Sequence, residues 1–422
     1  MSVKLVFSVV VALAATLLVG GPATAGAKPA PGSLTGYAFD ACSAPPQAAM
    51  DAWWQASPYA AVGVYIGGSN RLCAQPELTV GWVRTQQRRG WHVLPLFVGP
   101  QASCSGYADK MSADLRIAEQ QGRQQAGLAI QAARSLGIKA RSTIYYDLED
   151  YDIAPDDCRR AALSFVSGWT EELHRSHYSS GVYSNIAAAI TSLDFADRAD
   201  PGAYTMPDEI WFAWANGRAD VRTDSRVQSH RWDDHARVHQ YLVDATQSYG
   251  GYSLVMDADW VDTGRGSVAP REKQLCRGVD VDLRAYPRLK AGRRGPAVEA
   301  AQCLLRRQHF SKTAITGRYD RQTVAGVKKA QKKLGQKVTG KLTRPTWAAL
   351  LARGGHPVLK VGSTGETVRR LQRALTASGK RTPVDGVYST RTARSVATFQ
   401  RRHGLPGTGV VTVEVWEAFL GR

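Results

Sequence analysis

From Leu34 to about Gly266 the chain alternates short β-branched runs with helical stretches, and that alternation restricts the fold more than any other feature. The strand-like runs are Thr35–Asp40, Ala61–Ile66, His92–Val98, Ser142–Asp147, Ser180–Ser184, Ile210–Trp214, Val238–Tyr241 and Ser253–Asp257. Helical periodicity fills most of the gaps, around Gln47–Gln55, Leu78–Arg89, Ser112–Leu136 and Asp156–His174. Alternating elements predict a parallel sheet, and seven or eight strands predict a closed, TIM-like β/α barrel of the α/β class. No Gly-x-Gly-x-x-Gly follows a strand, which argues against a dinucleotide fold.

A barrel of this kind keeps its chemistry at the C-terminal ends of the strands. The run Ser142-Thr-Ile-Tyr-Tyr-Asp147-Leu148-Glu149-Asp150 ends in two carboxylates with one leucine between them. Side chains alternate on a strand, so Asp147 and Glu149 share one face and Leu148 enters the apolar layer. Carboxylates this close do not titrate independently, and one of them is pushed up. A neutral acid beside an ionised one is the equipment for cleaving a glycosidic bond. The competing reading is an acidic surface loop after a strand.

Other strand ends are polar too. Asp40 ends the first, Trp211-Phe-Ala-Trp214-Ala-Asn216 the sixth, His239-Gln240-Tyr241 the seventh and Asp257-Ala-Asp259 the last. Aromatic rings stack on sugar faces and amides read hydroxyls. Trp211, Trp214, Asn216 and Gln240, with Tyr65 of the second strand, are therefore candidate substrate contacts. Core packing is the alternative for the two tryptophans. His92, His174, His177, His235 and His239 are scattered and read as structural or surface residues. Ala236 stands where a zinc hydrolase helix would carry its Glu, and no Gly-x-Ser-x-Gly elbow occurs. Neither a metal nor a cofactor is expected.

The first residues read as an address. Lys4, the apolar run Leu5–Val19 and the small residues Ala23-Thr-Ala25 form a signal peptide over 1–25, and no later run is long and apolar enough to span a membrane. Six cysteines suit an oxidising compartment, and none lies in a Cys-x-x-Cys pair. Cys276–Cys303 is the natural late bridge. Cys42, Cys73, Cys104 and Cys158 allow three connectivities, with Cys73–Cys104 and Cys42–Cys158 preferred.

After a short linker at 267–276 the chain repeats itself. Gly295-Pro-Ala-Val298-Glu-Ala-Ala-Gln302 matches Gly365-Glu-Thr-Val368-Arg-Arg-Leu-Gln372 at an offset of 70. Gly317-Arg-Tyr319, Thr323, Gln331, Gly340 and Trp347 match Gly386-Val-Tyr388, Thr392, Gln400, Gly409 and Trp416 at an offset of 69. Each copy predicts a small three-helix, all-α unit with a Gly-x-Tyr turn between its first two helices. The repeats carry the charge. From Cys276 onward there are 30 Lys and Arg against 8 Asp and Glu, a net of +22, while the rest of the chain nets −4. That asymmetry implies an anionic partner for the back half.

The stretches Gly36-Tyr-Ala-Phe-Asp40-Ala-Cys42, Ser57-Pro-Tyr-Ala-Ala-Val-Gly-Val-Tyr65-Ile-Gly-Gly68, Tyr146-Asp-Leu-Glu149-Asp-Tyr151 and Ser180-Gly-Val-Tyr183-Ser resemble the DUF1906 family of glycoside-hydrolase-like domains over most of 34–266. More distantly the domain is similar to the family 25 muramidases. They share an Asp ending the first strand, an Asp-x-Glu at the fourth and a final Gln-Tyr … Asp-x-Asn. Asp40, Asp147/Glu149, Gln240-Tyr241 and Asp257 take those places, and Asp259 stands where the pattern has Asn. The resemblance implies hydrolysis of the β-1,4 bond after N-acetylmuramic acid. Glu149 would be the general acid, Asp147 would polarise the substrate's N-acetyl group, and Asp40 and Asp257 would hold the sugar. Both repeats, over 276–353 and 357–422, resemble the type 1 peptidoglycan-binding domain. The first departs more, with Ala301 and Ala330 where the second has Leu371 and Phe399.

The expected partners are peptidoglycan and anionic wall polymers rather than nucleic acid, because the basic stretches lack interleaved aromatics. The protein is expected to be secreted or wall-associated and to act as a monomer. Two function classes follow: a wall hydrolase carried by binding modules, or a non-catalytic wall protein with a glycan-binding barrel.

Overall fold

The computed structural model describes residues 29–276, 278–312 and 314–421, so the signal-peptide expectation lies outside the described residues. Eight strands close into a barrel in sequence order: β1 (Leu34–Asp40), β2 (Ala61–Gly67), β3 (His92–Phe97), β4 (Thr143–Asp147), β5 (Ser179–Asn185), β6 (Glu209–Ala213), β7 (Ala236–Tyr249) and β8 (Tyr252–Thr263). Strands β1 to β7 pair in parallel. The expectation of a wholly parallel sheet is corrected at β8, which runs antiparallel to both β7 and β1. The cause is local. Gly250 and Gly251 both have positive φ, at 59° and 86°, and form a two-residue turn that closes the Tyr249–Tyr252 pair. A hairpin this short joins only antiparallel strands.

Helices α1 (Gln47–Ala56), α2 (Val80–Arg89), α3 (Leu115–Ser135), α4 (Asp156–Arg175) and α5 (Thr191–Ala199) follow β1 to β5. Helices α3 and α4 cross at Gly122 and Gly168. A Cβ on either glycine would lie 2.0 Å from a carbonyl oxygen of the other helix, so the contact is backbone to backbone. No α-helix follows β6 or β7. Helix α1 covers the hairpin end of β7 and β8 and Phe39 of β1 through Trp53, and leaves uncovered the patch formed by Tyr37, Tyr241 and Trp260.

The C-terminal half covers that patch. Its six helices are α6 (Pro296–Arg307), α7 (Arg321–Lys333) and α8 (Arg344–Ala352) in repeat 1, then α9 (Glu366–Ala377), α10 (Thr390–Arg402) and α11 (Val413–Leu420) in repeat 2. Repeat 1 joins repeat 2 through α8 packed on α9 and α11, and one apolar core runs through both and takes in Trp260. Lys360, 1 % exposed, enters the barrel wall. Its Nζ donates to the carbonyls of Trp54 (2.6 Å) and Tyr59 (3.0 Å) and lies 4.4 Å from the centre of the Trp54 ring. The stretch expected to be a linker is also anchored. Arg373, 1 % exposed, pairs with Glu272, Asp282 and Glu366, and Arg369 donates to the Pro270 carbonyl.

The duplicated glutamines and tyrosines hold turns. Gln302 Oε1 accepts from Thr316 N and Gly317 N, and its Nε2 donates to Arg318 O. Gln372 does the same for Gly386 and Val387. Tyr319 and Tyr388 donate to the carbonyls of Gly340 and Gly409. Buried amide groups without these partners would cost about 1–3 kcal/mol each, which explains their recurrence.

The late disulfide is Cys276–Cys303, as expected. The early four pair as Cys42–Cys73 and Cys104–Cys158, which corrects the preferred connectivity. Cys42 follows β1 and Cys73 follows its parallel neighbour β2, so their loops emerge side by side at one end of the barrel. Cys104 and Cys158 likewise follow the neighbours β3 and β4.

Candidate active site

The barrel mouth holds a cavity of about 260 Å³ lined by Asp40, Tyr65, Asp147, Glu149 and Asp257, with the Cys42–Cys73 bridge, Arg71, Tyr107 and Asp244 at its edges. Each acid reaches it for a backbone reason. Asp40 is the last residue of β1, and its register partner on the antiparallel β8 is Asp257. Asp257 is thus not at a strand end, as the parallel reading had it, but opposite one. Asp147 is the last residue of β4, Leu148 turns into the core with no exposure, and Glu149 comes back to the cavity. The alternation expected at this strand end is what the fold shows.

Gln101, beyond β3, fixes the turn. Its Oε1 accepts from Glu149 N (2.8 Å) and its Nε2 donates to Asp147 O (2.9 Å), standing in for a strand neighbour where the ladder has run out. Sequence reasoning missed it, because nothing in the residues around Gln101 forecasts a loop folded back over β4.

Gln240 holds the opposite wall. Its Nε2 donates to Asp40 Oδ2 (3.2 Å) and to Asp257 Oδ2 (3.1 Å), while its Oε1 accepts from Tyr183 OH (2.8 Å). It organises the acids instead of facing solvent; it is 2 % exposed. Tyr183 is a second residue the sequence reading passed over as a site member; it is the register partner of Asp147 on β5. Asp259 lies one pleat deeper, wholly buried, and accepts from Trp211 Nε1 at 2.9 Å.

Five carboxyl groups in so small a volume cannot all ionise. Asp147 is held well above the usual carboxylate range, first by burial and then by Glu149 and Asp40. Asp40 is pushed up to about 7, by burial and then by Asp257, against the Gln240 hydrogen bond. Glu149 is raised by burial, then by Asp150 and Asp257, and Asp257 is raised mainly by burial. Asp259 is held far up by burial and then by Asp40 and Asp257. Asp147 Oδ1 is buried without a hydrogen-bond partner among the described residues. A buried acceptor left open at a cavity wall is capacity kept for a donor from outside.

Three candidate substrate contacts are not brought to the cavity. Trp211 has no exposed surface. It lies inside the barrel edge-on to Tyr145 and Tyr183, so it cannot stack on a sugar, and core packing is its role. Trp214 sits beyond β6 under the guanidinium groups of Arg218 and Arg226, 5.3 and 4.7 Å from its ring centre. Asn216 Oδ1 accepts from Arg218 N in the same loop. Neither lines the cavity. No group of three or more His, Cys, Asp or Glu among the described residues is arranged to hold a metal ion. No helix among them is long and apolar enough to cross a membrane.

The Cys42–Cys73 bridge closes a segment of 31 residues at the cavity rim. Replacing both cysteines by Ser should lower unfolding free energy by about 3–4 kcal/mol, from the loop entropy returned to the unfolded chain. Denaturant unfolding checks this; an unchanged midpoint would show that the rim is held without the bridge.

Residues 51–261 match the family described as Rv2525c-like, glycoside hydrolase-like domain, and residues 294–350 and 364–419 each match the peptidoglycan binding domain family. An N-acetylmuramoyl-L-alanine amidase, CwlL, of Bacillus licheniformis is 34 % identical over 151 residues, covering 29 % of this chain; the chain spans 42 % of that relative's length. Among solved structures, an uncharacterized B. stearothermophilus protein aligns over 54 % of this chain and 95 % of its own, with 18 % identity and a TM-score of 0.35. A family 25 glycosyl hydrolase from Bacillus anthracis aligns over 54 % of this chain and 89 % of its own, with 14 % identity and a TM-score of 0.33. With half its length matched by the first of these families and its C-terminal half matched twice by the second, the chain belongs to the Rv2525c-like glycoside hydrolase-like family and carries two peptidoglycan-binding domains behind its barrel.

Proposed function

We propose that this is a secreted cell-wall hydrolase of the muramidase type, which cuts peptidoglycan glycan strands while its C-terminal half holds the wall. The observation that carries the reading is the pair Asp147 and Glu149 in one cavity, both raised above the usual carboxylate range so that they do not ionise together, with an open acceptor on Asp147. Glu149 is the less buried of the two and serves as general acid. It passes its proton to the glycosidic oxygen as the C1–O bond breaks. The substrate's acetamido oxygen attacks C1, and its N–H donates to the free Oδ1 of Asp147, which favours ionised Asp147 and an electron-rich amide. Water then opens the resulting ring, giving its proton back to Glu149. Asp40, Asp257 and Gln240 form the wall opposite and bind the sugar hydroxyls; Tyr65 flanks them.

The basic back half adds a salt-sensitive attraction to anionic wall polymers, and the protein works as a monomer. The test is digestion of purified peptidoglycan with the full chain, the soluble products being read by mass spectrometry. Products ending in reducing muramic acid are expected. No release, with the protein still sedimenting with the wall, would replace this reading with that of a glycan-binding barrel.

A further inference from the structure

The two repeats are built alike but used differently. In repeat 1, Gly292 N donates to Tyr319 O (3.0 Å) and Arg294 bridges to Arg318. In repeat 2 the same positions are Gly362 N to Tyr388 O (3.1 Å) and Thr364 to Val387. Both copies therefore form the same groove, between the turn before their first helix and the start of their second.

In repeat 2 that groove faces the barrel, and what remains of it is a cavity of about 390 Å³ between Lys360, Val361, Thr390 and Ala393 and the barrel's Tyr37, Tyr59, Tyr241 and Tyr249. Its rim residue Lys360 is buried under Trp54, the Gly362 carbonyl accepts from Ser267 Oγ (3.1 Å), and Val361 O comes so near β1 that a Cβ at Gly36 would lie 3.2 Å away. The counterpart of Lys360 is Lys290, which is exposed. In repeat 1 the groove is open, with a volume of about 590 Å³. Its walls carry Arg293, Arg294, Arg318 and Arg321 around Tyr319 and Val324. The matching residues of repeat 2 are Ser363, Thr364, Val387 and Thr390, none of them charged.

None of the four guanidinium groups is ion-paired or hydrogen-bonded among the described residues. The one acid of the groove, Asp320, is committed to the start of α7, accepting from Thr323 N and Thr323 Oγ1 at 2.8 Å each. Four like charges around one concavity repel each other until an anion enters, and the planar guanidinium fork fits carboxylate and phosphate oxygens alike. We propose that the groove of repeat 1 is the wall-anchoring site, an oxyanion-binding cleft for a polymer with recurring carboxylate or phosphate groups, and that repeat 2 has given up the same groove to seat the barrel. It makes repeat 1, the copy that departs more from the family pattern, the binding one. It rests on the wall-directed reading above but not on catalysis.

The test is sedimentation of the full chain with purified walls, before and after hydrofluoric acid has stripped phosphodiester-linked polymers. Arg318→Glu/Arg321→Glu should lose wall affinity by about tenfold or more at moderate salt. Lys332→Glu/Lys333→Glu makes the same charge change in the same repeat outside the groove and should lose far less. Arg318→Gln/Arg321→Gln, which spares the fold from added repulsion, should fall between. A groove-specific loss that persists on stripped walls identifies peptidoglycan carboxylates. If wild-type binding falls on stripping and the groove variant then matches it, the ligand is the phosphate polymer; both results support the groove. Equal losses for the two double charge reversals, or none, overturn it in favour of diffuse charge. A groove-dependent binder that releases no glycan would sink the hydrolase reading alone.

Discussion

Replacing Glu149 by Gln is expected to cut release of soluble glycan fragments by roughly a thousandfold, within the range general acid catalysis supplies, while wall retention stays at the wild-type level. The amide keeps the shape of the side chain and the Glu149 N to Gln101 contact, which is made by backbone. What it removes is the proton that the leaving sugar oxygen requires. The wall-binding groove proposed for repeat 1 lies outside the barrel, so wall retention should not respond. The pH profile adds a second readout. Because burial, Asp150 and Asp257 all raise Glu149, its protonated fraction should extend to higher pH than for an exposed glutamate, and the rate should fall as pH rises through that raised pKa. Asp150→Asn removes one of the raising charges and should move the falling limb to lower pH without abolishing turnover. Unchanged cleavage by Glu149→Gln would remove it from the role of acid.

The second large effect is on stability. Asp259→Asn should raise the thermal midpoint at pH 7.5 by several degrees and leave it nearly unchanged at pH 4. Asp259 is wholly buried, and burial and Asp40 hold its carboxyl far above the value it has in an unfolded chain. A folded state that keeps a proton the unfolded state releases is stable below the unfolded pKa and loses stability as pH rises toward the folded one. A residue that does not ionise escapes that loss, so the gain is expected at neutral pH and not in acid. Asparagine retains an oxygen for Trp211 Nε1, and it is what the muramidase pattern carries at this place. Thermal scans of both proteins at the two pH values decide it. An equal gain at both would point to packing instead of charge.

Much of this site is written in short-range pattern. The β-branched run before Asp147, and the single leucine before Glu149, set strand, face and burial together, because a two-residue period leaves no freedom. Asp40 was legible for the same reason. What escaped was set by partners distant in sequence. The direction of β8 turned on Gly250-Gly251, a hairpin signal that the β/α alternation overshadowed. The disulfides followed from which loops emerge side by side, which depends on the strand order in space. Trp211 reads as well for a sugar platform as for core, and only the neighbours Tyr145 and Tyr183 decide between them. Gln101 acts through a loop whose path no local propensity specifies.

The seat of Lys360 has a consequence for how the molecule would work on a solid. With β1, β8, the 267–287 segment and both repeats joined by buried contacts, the barrel is not tied to its anchorage by a free string. The mouth is carried at one fixed displacement and one fixed heading from the arginine groove. Cuts would then fall at a set stride from each point of attachment, like a ruler laid against the strand, and fragment lengths should cluster instead of spreading.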